Sequence, residues 1–257
     1  MSNHEIVWPD PPSTLELRVA DVHLWAVPLA LDPDGLAERA ALLAPAEQER
    51  AMRFRFARER GRFIASRSGL RAILASYLER DPEDLEFDYG PRGKPCLAAA
   101  SPTHPQLEFN LSHSEDLALI AVKRGEAVGV DLERIRPLPD AGDLAARFFS
   151  ARENELIQSL SEELRPVAFL QIWTRKEACL KASGEGIGHF LRLANVVTQA
   201  GDFARRVRLA GDSISATEWS LQELSPASGF VAAVATTSDD LLLSHWRWPG
   251  GQSRASQ

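Results

Sequence analysis

AVGVDLERI, residues 127–135, sets Val128, Val130 and Leu132 on one side of an extended chain and Asp131 and Glu133 on the other. It reads as a strand with one face toward a core and two carboxylates on the opposite face. The elements downstream of this strand repeat the order of those upstream. Downstream, Ser150-x-x-Glu153 has the form of a capping box, with the serine accepting from the amide three residues on and the glutamate reaching back. A longer helix over about 167–183 comes next, then strands at GFVAAVA (229–235) and LLLSHWRW (241–248). Upstream, HLWAVPL (23–29) is a buried strand in which Leu24, Ala26 and Pro28 alternate with Trp25, Val27 and Leu29. A helix opens at Pro45, with Glu47 in its first turn. A second helix, Arg58 to Arg80, carries Phe63, Leu70, Ile73, Leu74, Tyr77 and Leu78 at helical spacing and stops at Asp81-Pro82. FNLSHSEDLALIAV (109–122) forms two strands about a polar turn.

This repeated order predicts an α+β fold of two similar halves, 15–125 and 126–248, related by a pseudo-twofold and joined near Arg124-Gly125-Glu126. The Pro-rich, polar residues 1–14 and the Gly/Ser/Gln-rich residues 249–257 are expected to be disordered or flexible tails.

With 257 residues, 44% of them hydrophobic and 25% charged, the composition is that of a globular protein. No window approaches the roughly 18 apolar residues a membrane span needs, and residues 1–13 lack the basic and apolar regions of a secretory signal. The expectation is a cytoplasmic protein without a membrane partner. Its two cysteines, Cys96 and Cys179, stand in no metal-ligand or disulfide pattern. A net charge of −7 argues against a nucleic-acid partner. Between Arg50 and Arg71, however, eight arginines face a single acid, Glu59, which suits either a solvated helix face or an anionic ligand.

The acids of the strand at 127–135 gain meaning beside IWTRKEACLKASG (172–184), where Trp173, Glu177 and Lys181 share one helical stripe. Glu177 and Lys181 also make a favoured i,i+4 pair with no function required, and Asp131 and Glu133 could pair with Arg134 or Arg136. If Glu177 faces Asp131 and Glu133, three carboxylates converge, a charge arrangement sustained by a cation or by protonation. Oxygen-only ligation favours Mg²⁺. Ser112 and His113 in FNLSHS, and Arg92 and Lys94 on the GPRGKP turn, add polar groups; the turn lacks P-loop spacing.

In the order basic helix, GKP, NLSHS, VDLER, WTRKEACLKASG, these segments resemble the 4′-phosphopantetheinyl transferase superfamily, in its long single-chain, surfactin-synthetase-activating form, over roughly residues 42–188. The resemblance implies that the active-site cleft lies between the halves and that Asp131, Glu133 and Glu177 hold Mg²⁺ against the pyrophosphate of coenzyme A. It places Lys181 on the phosphate side, with Asp131, Glu177 and Lys181 as the catalytic set. Lys94, Ser112 and His113 then contact the pyrophosphate and the 3′-phosphate, and Arg50 and Arg62 lie near the nucleotide. A family lysine is replaced by Glu47, and Arg53 or Arg58 could substitute for it.

The implied reaction moves phosphopantetheine from coenzyme A to a serine of an acyl or peptidyl carrier protein and releases adenosine 3′,5′-bisphosphate. A chain holding both halves is expected to be a monomer. Phe148, Phe149 and the helix at 152–160 are candidates for carrier contact. A Mg²⁺-dependent nuclease or phosphodiesterase, and a noncatalytic coenzyme A-binding module, are the alternatives.

Overall fold

The computed structural model describes residues 5–98, 106–184, 189–192, 195–197, 205–208, 217–239 and 241–248. The first half runs β1 (Asp21–Pro28), α1 (Pro33–Ala40), α2 (Pro45–Met52), α3 (Ala57–Leu78), β2 (Phe87–Tyr89), β3 (Pro95–Leu97), β4 (Leu107–Ser114) and β5 (Leu117–Arg124). The second runs β6 (Val128–Arg134), α4 (Ala141–Phe148), α5 (Ala151–Ser159), α6 (Arg165–Ser183), β7 (Arg206–Arg208), β8 (Glu218–Leu224), β9 (Phe230–Thr236) and β10 (Leu242–Arg247).

In the first half the sheet order β1-β5-β4 is antiparallel throughout, and β6-β9-β8 is antiparallel in the same order. Each half is therefore a strand, a set of helices ending in a long one, and a hairpin whose last strand inserts beside the first. The repeat expected from element order holds at the level of topology. α3 covers one sheet through Leu70, Ile73 and Leu74 against Trp25, Val27, Ile120 and Val122. The opposite faces of the two sheets meet through Leu24, Ala26, Leu119 and Ala121 on one side and Val128, Val130, Leu132, Ala232 and Val234 on the other. α6 covers the outer face of the second sheet through Phe169, Ile172 and Cys179. These four layers bury the central strands on both sides, which is why β5 and β9 read as unbroken apolar runs.

Local chemistry sets the helix ends. Ser150 and Glu153 form the expected capping box, with Ser150 N donating to Glu153 Oε2 at 2.9 Å. Glu47 Oε2 accepts from Ala44 N at 3.2 Å, as its place in a first turn suggests. α3 ends with Glu79 in the left-handed region, at φ 53°, just before Asp81-Pro82. α1 and α4 go beyond the helices expected from the sequence, although Asp32 caps α1 by accepting from Gly35 N at 2.7 Å and Pro33 stands in its first turn.

Two boundary expectations need correction. β10, assigned by sequence to the second half, pairs in parallel with the free edge of β1, so the chain returns to its first sheet and covers an open edge. Trp246 and Trp248 then join the first core. Residues 5–10, expected to be disordered, are strapped down. Ile6 N donates to Ser225 O at 2.9 Å, Trp8 Nε1 to Pro226 O at 2.7 Å and Arg247 N to Pro9 O at 2.9 Å. Burial of Ile6 and Trp8 against the core between the sheets outweighs the Pro-rich composition of this segment. Residues 1–4 and 249–257 lie outside the described residues.

Candidate active site

The site lies where β6, β4 and α6 meet. Gly129 allows that meeting: a Cβ built on it would fall 2.0 Å from Ala178 O and 2.5 Å from Ala182 N, so the α6 backbone rests directly on β6. Asp131, two residues along on the same face, is thereby brought under α6. The β4–β6 seam is stitched by alternate residues of β4. Asn110 Oδ1 accepts from Val130 N at 2.9 Å, Ser112 Oγ donates to Asp131 Oδ1 at 2.9 Å, and Ser114 Oγ donates to Glu133 Oε2 at 3.3 Å.

Lys181 reaches down from α6 and donates to Asp131 Oδ1 at 2.6 Å and to Ser112 Oγ at 2.9 Å. Asp131, Ser112 and Lys181 thus form a closed triangle drawn from both halves. Asp131 and Glu177 are both 4% exposed. Asp131 Oδ2 and Glu177 Oε1 are buried without a hydrogen-bond partner among the described residues, a state costing about 1–3 kcal/mol per group. Burial, then the charges of Asp131 and Glu133, push Glu177 up to about 7 despite Lys181. Burial and Asp131 likewise raise Glu133. Burial, Lys181 and Arg62 lower His113. Among the described residues no group of three His, Cys, Asp or Glu side chains is a ready-made metal cage. Lys181, not a third carboxylate, fills the near side of Asp131.

From the first half, the β2–β3 hairpin projects Lys94 onto the end of α6, where its Nζ donates to Ala182 O at 3.1 Å. Gly93, at φ 81°, turns the hairpin. A cleft of about 290 Å³ lies between this hairpin and α6, lined by Lys94, Cys96, Glu108, Ser183 and Gly184 among others. Lys94 is lowered by burial.

The basic run proves divided. Arg67 and Arg71 both bind Glu47, and buried Arg71 also donates to Pro82 O at 2.6 Å and Leu85 O at 2.9 Å; these two serve the fold. Arg62 and Arg58 lie on the site's rim against Glu115 and Asp116. Arg50 is exposed, its guanidinium 5.2 Å from the centre of the Phe63 ring. Arg53 pairs only loosely with Glu49, at 3.9 Å. Phe149 is core, stacked on Phe169 at 4.7 Å, while Phe148 is half-buried beside Trp173.

Sequence reasoning missed Asn110 and Ser114, although their period-two spacing with Ser112 was visible, and it missed Gly129. Nothing in the sequence signals that α6 needs a side-chain-free residue opposite Ala178.

Comparison with known proteins agrees with the two-half division. Residues 127–235 match the 4′-phosphopantetheinyl transferase superfamily, and residues 32–125 match the 4′-phosphopantetheinyl transferase N-terminal family. The chain is 42% identical over 228 residues to the 4′-phosphopantetheinyl transferase HetI of Nostoc, covering 89% of this chain and 92% of the relative. It is 29% identical over 210 residues to the human L-aminoadipate-semialdehyde dehydrogenase-phosphopantetheinyl transferase, covering 77% and 68%. To the phosphopantetheinyl transferase of Thraustochytrium it is 32% identical over 191 residues, covering 68% and 65%.

Proposed function

This chain belongs to the 4′-phosphopantetheinyl transferase superfamily, and from that membership we propose that it moves the 4′-phosphopantetheine of coenzyme A to a carrier-protein serine, releasing adenosine 3′,5′-bisphosphate with Mg²⁺ as cofactor. The observation that carries the reading is the pair of buried, unpartnered oxygens, Asp131 Oδ2 and Glu177 Oε1, beside Lys181. An all-oxygen donor set with two free carboxylate oxygens suits Mg²⁺, which takes few protein ligands and keeps water and phosphate oxygens. Asp131, Glu133 and Glu177 would hold it. Bound there, the ion would neutralise charge on the pyrophosphate.

The remaining work falls to the chain. The serine oxygen forms a bond to the β-phosphorus as the bond from that phosphorus to the bridging oxygen breaks, and the bridging oxygen leaves with the nucleotide. Glu177 takes the hydroxyl proton at a carboxylate oxygen. Lys181 moves between Asp131 and the phosphate oxygens, Ser112 turns its hydroxyl proton from Asp131 toward them, and His113 donates a hydrogen bond to them. Lys94 borders the cleft from the hairpin, while Arg62 and Arg50 supply positive charge for the nucleotide end. Both halves of the cleft come from one chain, which supports a monomer as the active species, and the two free cysteines suit the cytoplasm.

Intact-mass analysis of an apo carrier protein incubated with coenzyme A and Mg²⁺ tests this. The wild type is expected to add one phosphopantetheine, and Glu177→Gln and Asp131→Ala are expected to add none while remaining folded. Full transfer by either variant would overturn the assignment.

A further inference from the structure

Glu115 and Asp116 form the two-residue turn between β4 and β5, directly after Ser112-His113-Ser114. Glu115 adopts φ 50°, one of only two non-glycine residues with positive φ among those described. Glycine or asparagine would sit there with less strain, so a glutamate at this position points to a use for its carboxylate. The contacts show where that carboxylate goes. Glu115 Oε2 accepts from Arg62 Nη2 at 2.6 Å and from Arg58 Nη2 at 3.3 Å; Asp116 accepts from Arg62 Nε at 3.0 Å and from Arg58 Nη2 at 3.1 Å.

Two acids therefore neutralise two arginines. The Arg62 side chain is only 21% exposed, so this neutralisation is screened less than that of a surface pair. Arg62 is also close enough to His113 to depress its protonation together with Lys181. It is a cation of the site's rim whose guanidinium edge is already occupied by carboxylates.

We propose that Glu115 and Asp116 are a built-in counter-anion for Arg62, which an incoming phosphate group must displace, and that this exchange sets how tightly the site takes its phosphorylated ligand. The inference rests on the reading that Arg62 faces the nucleotide of coenzyme A. A carboxylate turn that leaves as the phosphate arrives weakens binding of every polyanion at the rim. It also favours ligands whose phosphate charge is concentrated enough to win the exchange, because a bidentate arginine contact goes to the stronger anion.

The test is equilibrium titration of the full chain with coenzyme A and, separately, with inorganic pyrophosphate, at about 20 mM and about 0.3 M salt. The variant is Glu115→Gly with Asp116→Asn, a turn suited to the observed backbone, with a thermal melt to confirm folding. The gain expected at low salt is roughly three- to tenfold in affinity for both probes, shrinking at high salt. In the Arg62→Ala background the same two substitutions are expected to give a much smaller gain, the part that comes from releasing Arg58, since most of their effect runs through Arg62. Weaker binding in the double variant would mean the acids hold Arg62 in place for the ligand, and would overturn the proposal. An equal gain without Arg62 would reduce the effect to the general field and overturn it too. If coenzyme A binds to no variant, including wild type, the transferase reading fails, and the pyrophosphate titration still decides the counter-anion.

Discussion

Replacing Gly129 with alanine should damage both fold and site, and the geometry sets the size of the effect. The new methyl carbon would lie 2.0 Å from Ala178 O, whereas a carbon and a carbonyl oxygen rest no closer than about 3.3 Å, so the strand and helix must part by about 1.3 Å. The obstructing atoms belong to the α6 backbone and cannot rotate away. Overpacking of this kind costs about 1–3 kcal/mol when side chains can yield, so about 3 kcal/mol is expected here. For a chain of this size that corresponds to a fall in Tm of roughly 6–12 °C. Glu177 and Lys181 ride on α6, and a shift of this size would lengthen the 2.6 Å contact from Lys181 to Asp131 beyond hydrogen-bond range. A displacement of about 1 Å in a reacting constellation can lower the rate on the order of 100-fold. Scanning calorimetry and carrier-loading kinetics on Gly129→Ala read both effects. Wild-type Tm together with wild-type kcat/KM would refute the claim that this glycine lets α6 rest on β6.

Lys176 and Glu153 form an ion pair at 2.7 Å with both side chains fully buried, and Lys176→Met would leave the carboxylate without its cation, at about 3–5 kcal/mol in urea unfolding; a loss under 1 kcal/mol would contradict this. Acid should weaken the fold through His23, which burial holds down at about 4 from an ordinary 6.5 while its Nδ1 shares a 2.7 Å hydrogen bond with the Tyr77 hydroxyl. The unfolded chain takes up a proton as pH falls below 6.5 and the folded chain does not until about 4, so stability is lost across that window, by about 2–3 kcal/mol. In His23→Gln the pH dependence of urea midpoints should flatten over the same range. Coenzyme A with Mg²⁺ at about 100 times Kd should raise Tm by roughly 5–10 °C in the wild type and by much less in Asp131→Ala; equal shifts would remove Asp131 from the binding site.

Much of the site was legible because its spacings are local. Period two on β6 places Asp131 and Glu133 together, and a four-residue step on α6 places Glu177 and Lys181 together. The convergence of these two faces was only conditional. Lys181 could not be separated from a simple helix pair with Glu177, and in the structure it turns instead to Asp131 and Ser112. The arginine run is one feature in the sequence, but its members divide by which acid lies opposite: Glu47 for Arg67 and Arg71, and the Glu115-Asp116 turn for Arg58 and Arg62. Glu47 and the two arginines it binds are 20 and 24 residues apart, beyond the reach of any local pattern.

By itself, the sequence determined the α+β class, the doubled order of elements, most helix starts and stops, and the identity of the carboxylates and lysine that gather at the site. Those features depend on periodicity, capping and turn chemistry, which act over a few residues. Tertiary structure alone decided that β10 returns to the first sheet, that residues 5–10 are strapped across both halves, and that Gly129 brings α6 onto β6. Each depends on which surfaces are left open once the two sheets have packed, a property of the assembled layers that no stretch of chain carries alone.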